Sequence, residues 1–361
     1  MASIYKTIRS EDIASTRTVL HEAIPLTGTI VSGTYSGDSN IKDYAHGMFQ
    51  SVYDYPYLSS SANHIFDITM GASTASLLYS TISAQQAKKN NIYNEMAQVL
   101  MGYDKSGAIH RFDADGNLFD TVADKMDNCL FLNFSRLLTK DELQKGTFSL
   151  TLGTNASFLA PNSGRVILKD TGADADYRVN SPTGEYGILY VSNSLDHETL
   201  NGITEPKQQA AGLLFYQAGI AVLTSSVFMA STNGGFLSAS SQWTSNGDTI
   251  DNAITGSNIS NIANSLRRRF SNLSFNNSVE LNSTIYFCHL GANEFNYSSN
   301  PTYLSGSKIV VKAQSTDEPV SYLTTVGLYS SDNQLMATSK LSEPIKKTPS
   351  TSLTFRVRLD Y

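Results

Sequence analysis

The sequence is poor in charge, cysteine and tryptophan. Of its 361 residues only 16% are Asp, Glu, Lys or Arg, against 40% apolar residues, and the formal net charge is −6. So little charge fits neither a solvated disordered chain nor a bundle of long surface helices, whose exposed faces carry Glu, Lys and Arg. Basic residues are scattered except at Lys88-Lys89, Arg267-Arg268-Arg269 and Lys346-Lys347. Nothing in that distribution makes the basic surface a nucleic-acid binder needs, and no nucleic-acid partner is expected. The two cysteines, Cys129 and Cys288, lie far apart inside apolar runs and give no disulfide framework. Both are expected to be buried thiols of a protein made in a reducing cytoplasm. The longest apolar stretch, 210–223, is interrupted by Gln217 and falls short of the roughly 20 residues that span a bilayer. The first residues carry no apolar signal core, so neither export nor a membrane partner is expected.

Ser, Thr and Asn take the place of the missing charge, with 19 Tyr and 16 Phe against a single Trp. That composition favours strands and turns, and the chain is long enough to bury a proper core. The expected class is α+β, mainly β. Four regions are expected: an N-terminal arm over 1–57, a mixed region over 58–145, a β-rich domain over 146–280 and a β-sandwich-like domain over 281–361. In the arm, Ser10 with Glu11 and Asp12 predicts a short helix ending before Pro25, followed by a β-branched run from Leu26 to Tyr35. Ile92, Met96, Val99 and Leu100 predict an amphipathic helix over 83–100, with Gln85, Lys88, Lys89 and Glu95 facing water. Cys129 to Phe134 reads as a buried strand, and Thr139 with Glu142 as the start of a helical turn.

From Gly146 the polar and apolar residues alternate with the period of strands. The runs 211–216 and 220–223, separated by Gln217-Ala218-Gly219, read as a hairpin; one helix over 206–223 competes, but glycines at 212 and 219 disfavour it. Residues 231–260 read as a long surface loop carrying Trp243. Ile262, Leu266 and Phe270 predict a helix over 259–270, and five strands between Thr284 and Tyr361 suggest a sandwich or barrel-like module.

Motifs for chemistry are missing. There is no Gly-x-Ser-x-Gly elbow, no dinucleotide glycine fingerprint and no phosphate loop. His197-Glu198 opens like a zinc-protease helix, but Asn201 stands where the second imidazole belongs. His46, His64 and His110 are isolated in sequence, and each reads as an ordinary core or surface histidine. The acidic turns Asp113-Ala-Asp115-Gly-Asn117 and Asp170 to Asp176 bring oxygen ligands together, yet neither keeps the glycine and closing glutamate of the helix-loop-helix calcium site. Asp54, Asp67 and Glu95 have no spacing that pairs them into a glycosidase dyad. No enzyme, cofactor, metal or small-molecule substrate is expected.

Surfaces suited to contact are easier to name. Tyr53, Tyr55 and Tyr57 alternate with small or polar residues, a pattern that fits either an interface or an aromatic cluster under a loop. Arg267, Arg268 and Arg269 lie beside the apolar stripe of their helix and could clamp a neighbour's carboxylate or simply face water. Arg356, Arg358 and Asp360 alternate with Phe355, Val357 and Leu359, which places the charges on one face of a terminal strand. Trp243, Tyr297 and Tyr303, in Ser/Asn-rich loops, complete the candidate interface residues.

Three stretches carry a resemblance: Glu294-Phe-Asn-Tyr-Ser-Ser-Asn-Pro-Thr-Tyr303; Glu318-Pro-Val-Ser-Tyr-Leu-Thr-Thr-Val-Gly-Leu-Tyr329; and Leu341-Ser-Glu-Pro344 through Arg356-Val-Arg-Leu-Asp-Tyr361. Here the chain resembles virion structural proteins of tailed bacteriophages with contractile tails. His46-Gly-Met-Phe-Gln-Ser-Val-Tyr-Asp-Tyr-Pro-Tyr57 and Ser60-Ser-Ala-Asn-His-Ile-Phe-Asp67 are similar to the same group, so the resemblance covers both ends of the chain. It implies a non-catalytic tail or baseplate subunit that works by packing against other virion proteins and copies of itself, in a particle assembled in the host cytoplasm. A neck, collar or capsid-associated subunit, or a receptor- or glycan-binding tail module using Trp243 and the tyrosines, remains the alternative. The resemblance transfers no active-site residues.

Overall fold

A computed structural model describes residues 5–24, 39–79, 83–118, 125–138, 141–191, 210–230, 235–237, 242–298 and 300–360. The strands are β1 (Ile13–Ile24), β2 (Ile41–Asp43), β3 (Gln50–Tyr53), β4 (His64–Ala72), β5 (Asn128–Asn133), β6 (Glu142–Leu143), β7 (Ser149–Gly153), β8 (Arg165–Lys169) and β9 (Arg178–Ser181). They continue with β10 (Gly184–Val191), β11 (Ala210–Phe215), β12 (Ile220–Thr224), β13 (Phe270–Leu290), β14 (Leu304–Ser305), β15 (Lys308–Ile309), β16 (Ser321–Tyr329), β17 (Leu335–Lys347) and β18 (Leu353–Asp360). With α1 (Ala84–Leu100), α2 (Ile250–Gly256) and α3 (Ile259–Arg269), the protein is α+β and mainly β. Among the described residues no helix is long and apolar enough to cross a membrane.

The chain divides into a larger unit, Leu20–Val279, and a smaller one formed by Met1–Val19 with Glu280–Tyr361. The expected boundary at 280/281 falls beside this division. Those at 57/58 and 145/146 lie inside the larger unit, because one apolar cluster takes residues from Ile41 to Phe275.

In the larger unit the antiparallel sheet runs β7-β8-β10-β11-β12-β5-β4-β3-β2, and β13 flanks β7. Its central strands explain the continuous apolar runs. Leu130 and Leu132 of β5 enter one cluster while Cys129 and Phe131 enter another. Leu214 and Leu213 of β11 divide in the same way. Alternate side chains of a strand point to opposite faces, so a strand covered on both faces is apolar at every position. The expected hairpin is β11–β12, paired from Gly212↔Leu223 to Phe215↔Ile220. Its loop also takes in Tyr216, and Gly219 closes it at φ 64°, a conformation that suits glycine.

Ser83 caps α1 by accepting from the Gln86 N–H, as the apolar spacing requires. Ile92 and Leu100 are buried and Met96 packs against their cluster, as expected, but Val99 is exposed and Lys89, expected to face water, is buried with Gln86, Tyr93 and Ala97. The cause is α2, whose terminal carbonyls need donors. Lys89 Nζ donates to the carbonyls of Ile254 (2.5 Å) and Ser257 (2.8 Å), and Gln86 Nε2 to those of Ile254 and Thr255 (both 3.1 Å).

Three further expectations are corrected. Part of the supposed loop 231–260 is the helix α2, capped by Thr249 and burying Ile250, Ala253 and Ile254. Residues 231–234 and 238–241 of that stretch lie outside the described residues. Ser10–Asp12 makes only a 3-10 turn before β1, since Ile13 to Ile24 prefer the extended form. Glu142 lies in a strand, β6, paired with Asn277 and Ser278 of β13, not in a helical turn. Thr139, the 26–35 run and His197-Glu198 lie outside the described residues.

Candidate functional site

The tyrosine cluster is set by a polar turn. The carboxylate of Asp54 accepts from the backbone N–H of Tyr55 (2.8 Å) and Asn63 (2.6 Å) and from Asn63 Nδ2 (2.8 Å). Closed in this way, the turn leaves Tyr55 58% and Leu58 84% exposed, with Tyr57 exposed and Tyr53 half-buried. The Tyr53 ring lies against Tyr57 (6.2 Å between centroids) and His64 (5.2 Å). Behind them Asp67 Oδ1 accepts from Ser51 Oγ (2.5 Å) and pairs with His64 Nε2 (2.7 Å). A serine nucleophile needs the imidazole on its hydroxyl, whereas here the carboxylate stands between the two. The trio is a satisfied polar network that joins β3 to β4, and sequence spacing gave no sign of it.

Three of the candidate interface residues are interior. Trp243 is fully buried, packed on Phe228 at 4.6 Å, and the Arg269 guanidinium sits over its ring at 5.2 Å. Arg269 Nη1 donates to the carbonyls of Gly153 and Asn155 (2.9 Å each), and burial pulls the guanidinium down to about 10. Arg267 is buried too and donates from Nε to Asn264 Oδ1 (2.9 Å). Arg268 lies over the Phe158 ring at 4.7 Å. Neither a clamp on a neighbour through Arg267 and Arg269 nor a glycan platform built on Trp243 is open to a ligand. A planar five-donor group can satisfy several loop carbonyls at once, which makes arginine a suitable internal tie.

The acidic turns are internally satisfied. Lys125 Nζ pairs with Asp113 Oδ2 (2.5 Å), placing an ammonium where a cation would have to bind. Asp170 accepts from the Gly146 N–H (2.7 Å), the Phe148 N–H (3.0 Å) and Tyr216 Oη (3.2 Å), while burial pushes its carboxyl up to about 6. Asp176 pairs with Arg178. Of the histidines, His46 stacks on Tyr44 and accepts from the Met48 N–H. Among the described residues no group of three or more His, Cys, Asp or Glu is placed to hold a metal ion.

The smaller unit holds the other candidates. Tyr297 is 51% exposed and Tyr303 half-buried. On β18, Thr354, Arg356, Arg358 and Asp360 are exposed and Val357 is buried, as the alternation requires. Arg358 ties its own strand to β13, donating to Asp360 Oδ1 (2.6 Å) and Ser283 Oγ (2.9 Å). Ser283 Oγ in turn donates to Asp360 Oδ1 (2.5 Å), and this bond first, then the one from Arg358, holds the Asp360 carboxyl below its usual range.

What sequence reasoning missed is how little this unit buries. Both apolar clusters lie in the larger unit. Among the described residues of the smaller one only Val357 is a buried apolar side chain, whereas ten large apolar or aromatic side chains are exposed, Leu335 at 52% and Met336 at 71% among them. Instead of a closed sandwich, β13 carries β18 at one side, and β16 and β17 form a separate two-stranded ribbon. Cys288, expected to be buried, is half-buried here. A comparison of the chain with models of known protein families, with curated proteins and with solved structures finds no match.

Proposed function

We propose that this protein is a structural subunit of a tailed-phage virion, a tail or baseplate component that acts through protein–protein contacts and catalyses nothing. One observation carries the reading: among the described residues of the smaller unit a single apolar side chain is buried and ten large ones are exposed. Folding is driven by removing apolar surface from water, and a two-stranded ribbon by itself is marginal. Such a unit gains its stability when other subunits cover it, as in an assembly. The polar clusters of the larger unit agree, since their hydrogen bonds are spent within the fold. The resemblance at both ends of the chain supplies the choice of a virion over other assemblies.

The test is peptide mass spectrometry on particles purified by density gradient from cells expressing the genome that encodes this chain. The expected result is the intact chain at a fixed ratio to the other structural proteins. Its absence from particles, with the protein present in the lysate, would end the reading.

A further inference from the structure

We infer that the smaller unit is completed by another copy of this chain, so that neighbouring copies share an apolar core that neither has alone. The inference rests on the reading of the protein as an assembly subunit, but not on that assembly being a virion. Cross-strand pairing puts Cys288 opposite Phe355 and Tyr286 opposite Val357, on one face of β13 and β18. That face does not pack tightly on the ribbon. Tyr286, Cys288 and Phe355, with Leu323, Val326 and Leu328 of β16, line a groove of about 770 Å³ whose lining also takes in Tyr5 and Ile8 before β1 and the polar Lys6, Asp12 and His289. Protein interiors are close-packed, so a space of this size that leaves apolar side chains uncovered beside polar ones is a place for an occupant.

The features of the unit indicate what that occupant is. One chain offers both halves of an interface: the groove, and the exposed apolar side chains Tyr322, Leu335 and Met336 on the ribbon. Identical copies can then each give and receive, which a closed symmetric oligomer requires. Among the described residues β16 and β17 pair only with each other and β18 only with β13, so each leaves an edge able to accept a strand. Charge agrees. Residues 1–19 and 280–361 carry ten Lys and Arg against nine Asp and Glu, so like units approach without net repulsion, whereas 20–279 carry sixteen against twenty-three. A partner chosen by charge would call for an excess of one sign on this unit.

The experiment is sedimentation of the full chain over a wide concentration range, compared with two variants. Leu335→Lys with Met336→Lys changes exposed ribbon positions, and Leu328→Lys changes the groove wall. Amide exchange in β5, β11 and β12 reports whether the larger unit remains folded in each. The expected result is an oligomer of fixed stoichiometry whose dissociation midpoint rises at least about tenfold in both variants, with slow exchange in the larger unit unchanged. A wild-type chain that stays monomeric at the highest concentration, or an oligomer indifferent to both variants, overturns the inference. A monomeric chain that is nevertheless found in particles would leave the virion reading standing and assign the groove to a different protein. An oligomer that never enters particles would do the reverse.

Discussion

Asp170 and Lys89 are buried ionisable side chains, each held by backbone groups and, among the described residues, without a counter-ion in contact. Burial raises the Asp170 carboxyl from 3.8 to about 6, against the donors that favour its anion. The folded protein thus holds this proton more readily than the unfolded chain does. Its stabilising contribution is complete below the unfolded value and is lost as pH rises through about 6. Asp170→Asn removes that titration, so its cost relative to wild type is expected to be larger near pH 4 than at pH 7 by about 1–3 kcal/mol, read from paired denaturant unfolding curves. A cost that does not vary with pH would show that Asp170 stays ionised in the fold. Lys89→Met takes the ammonium donor from the Ile254 and Ser257 carbonyls and leaves Gln86 to serve Ile254 and Thr255, and a loss of about 2 kcal/mol is expected. Faster amide exchange confined to α2 would accompany it.

At the scale of elements, the packing of α1 on β4 depends on the absence of one side chain. A Cβ at Gly71 would stand 2.8 Å from the backbone N and Cα of Tyr93 and 2.9 Å from the Phe131 ring. Backbone cannot yield as a flexible side-chain tip does, so Gly71→Ala should push α1 off the sheet and cost about 1–3 kcal/mol, measured as a lower Tm. An unchanged Tm would mean that α1 is free to move. The position of α1 and most of its inward face, Ile92, Met96 and Leu100, were legible in the sequence; the burial of Lys89 and the exposure of Val99 were not. Ile92 and Leu100 fixed its extent, but Lys89 reads as a solvent residue until α2 brings carbonyls to its ammonium. In the same way Ile250, Ala253 and Ile254 have helical spacing, but the Ser/Thr/Asn-rich composition around them reads as a loop.

For the whole molecule, stability is expected to be unequal between the two units. The apolar clusters of the larger unit place its central strands at the slow end of hydrogen exchange. In dissociated chains the amides of β16 and β17 should exchange far faster than those of β5, β11 and β12, and should become protected on self-association. Equal protection in the dissociated chain would contradict the unequal burial described above. The candidate residues divide less simply, since Tyr55 and Tyr57 are exposed on the larger unit. Trp243, Arg267 and Arg269 work inside the larger unit as packing and ties, while Tyr297, Arg356 and Arg358 are exposed on the smaller one.

The sequence by itself determined the class and the local pattern. The alternation of Arg356, Arg358 and Asp360 with Phe355, Val357 and Leu359 places the charges on one face of a strand. The apolar run at 129–132 specifies a strand covered on both faces, and Gly219 marks a hairpin turn. Each follows from periodicity or backbone geometry, which are local properties. Only the tertiary structure decided which side chains are inside. A tryptophan in a polar stretch and a row of arginines carry the same local signal whether they face water or meet carbonyls from distant loops. Whether a unit has a core depends on which faces meet, so the alternating strands of the C-terminal segment read as a complete sandwich and instead leave a groove of mixed polar and apolar lining.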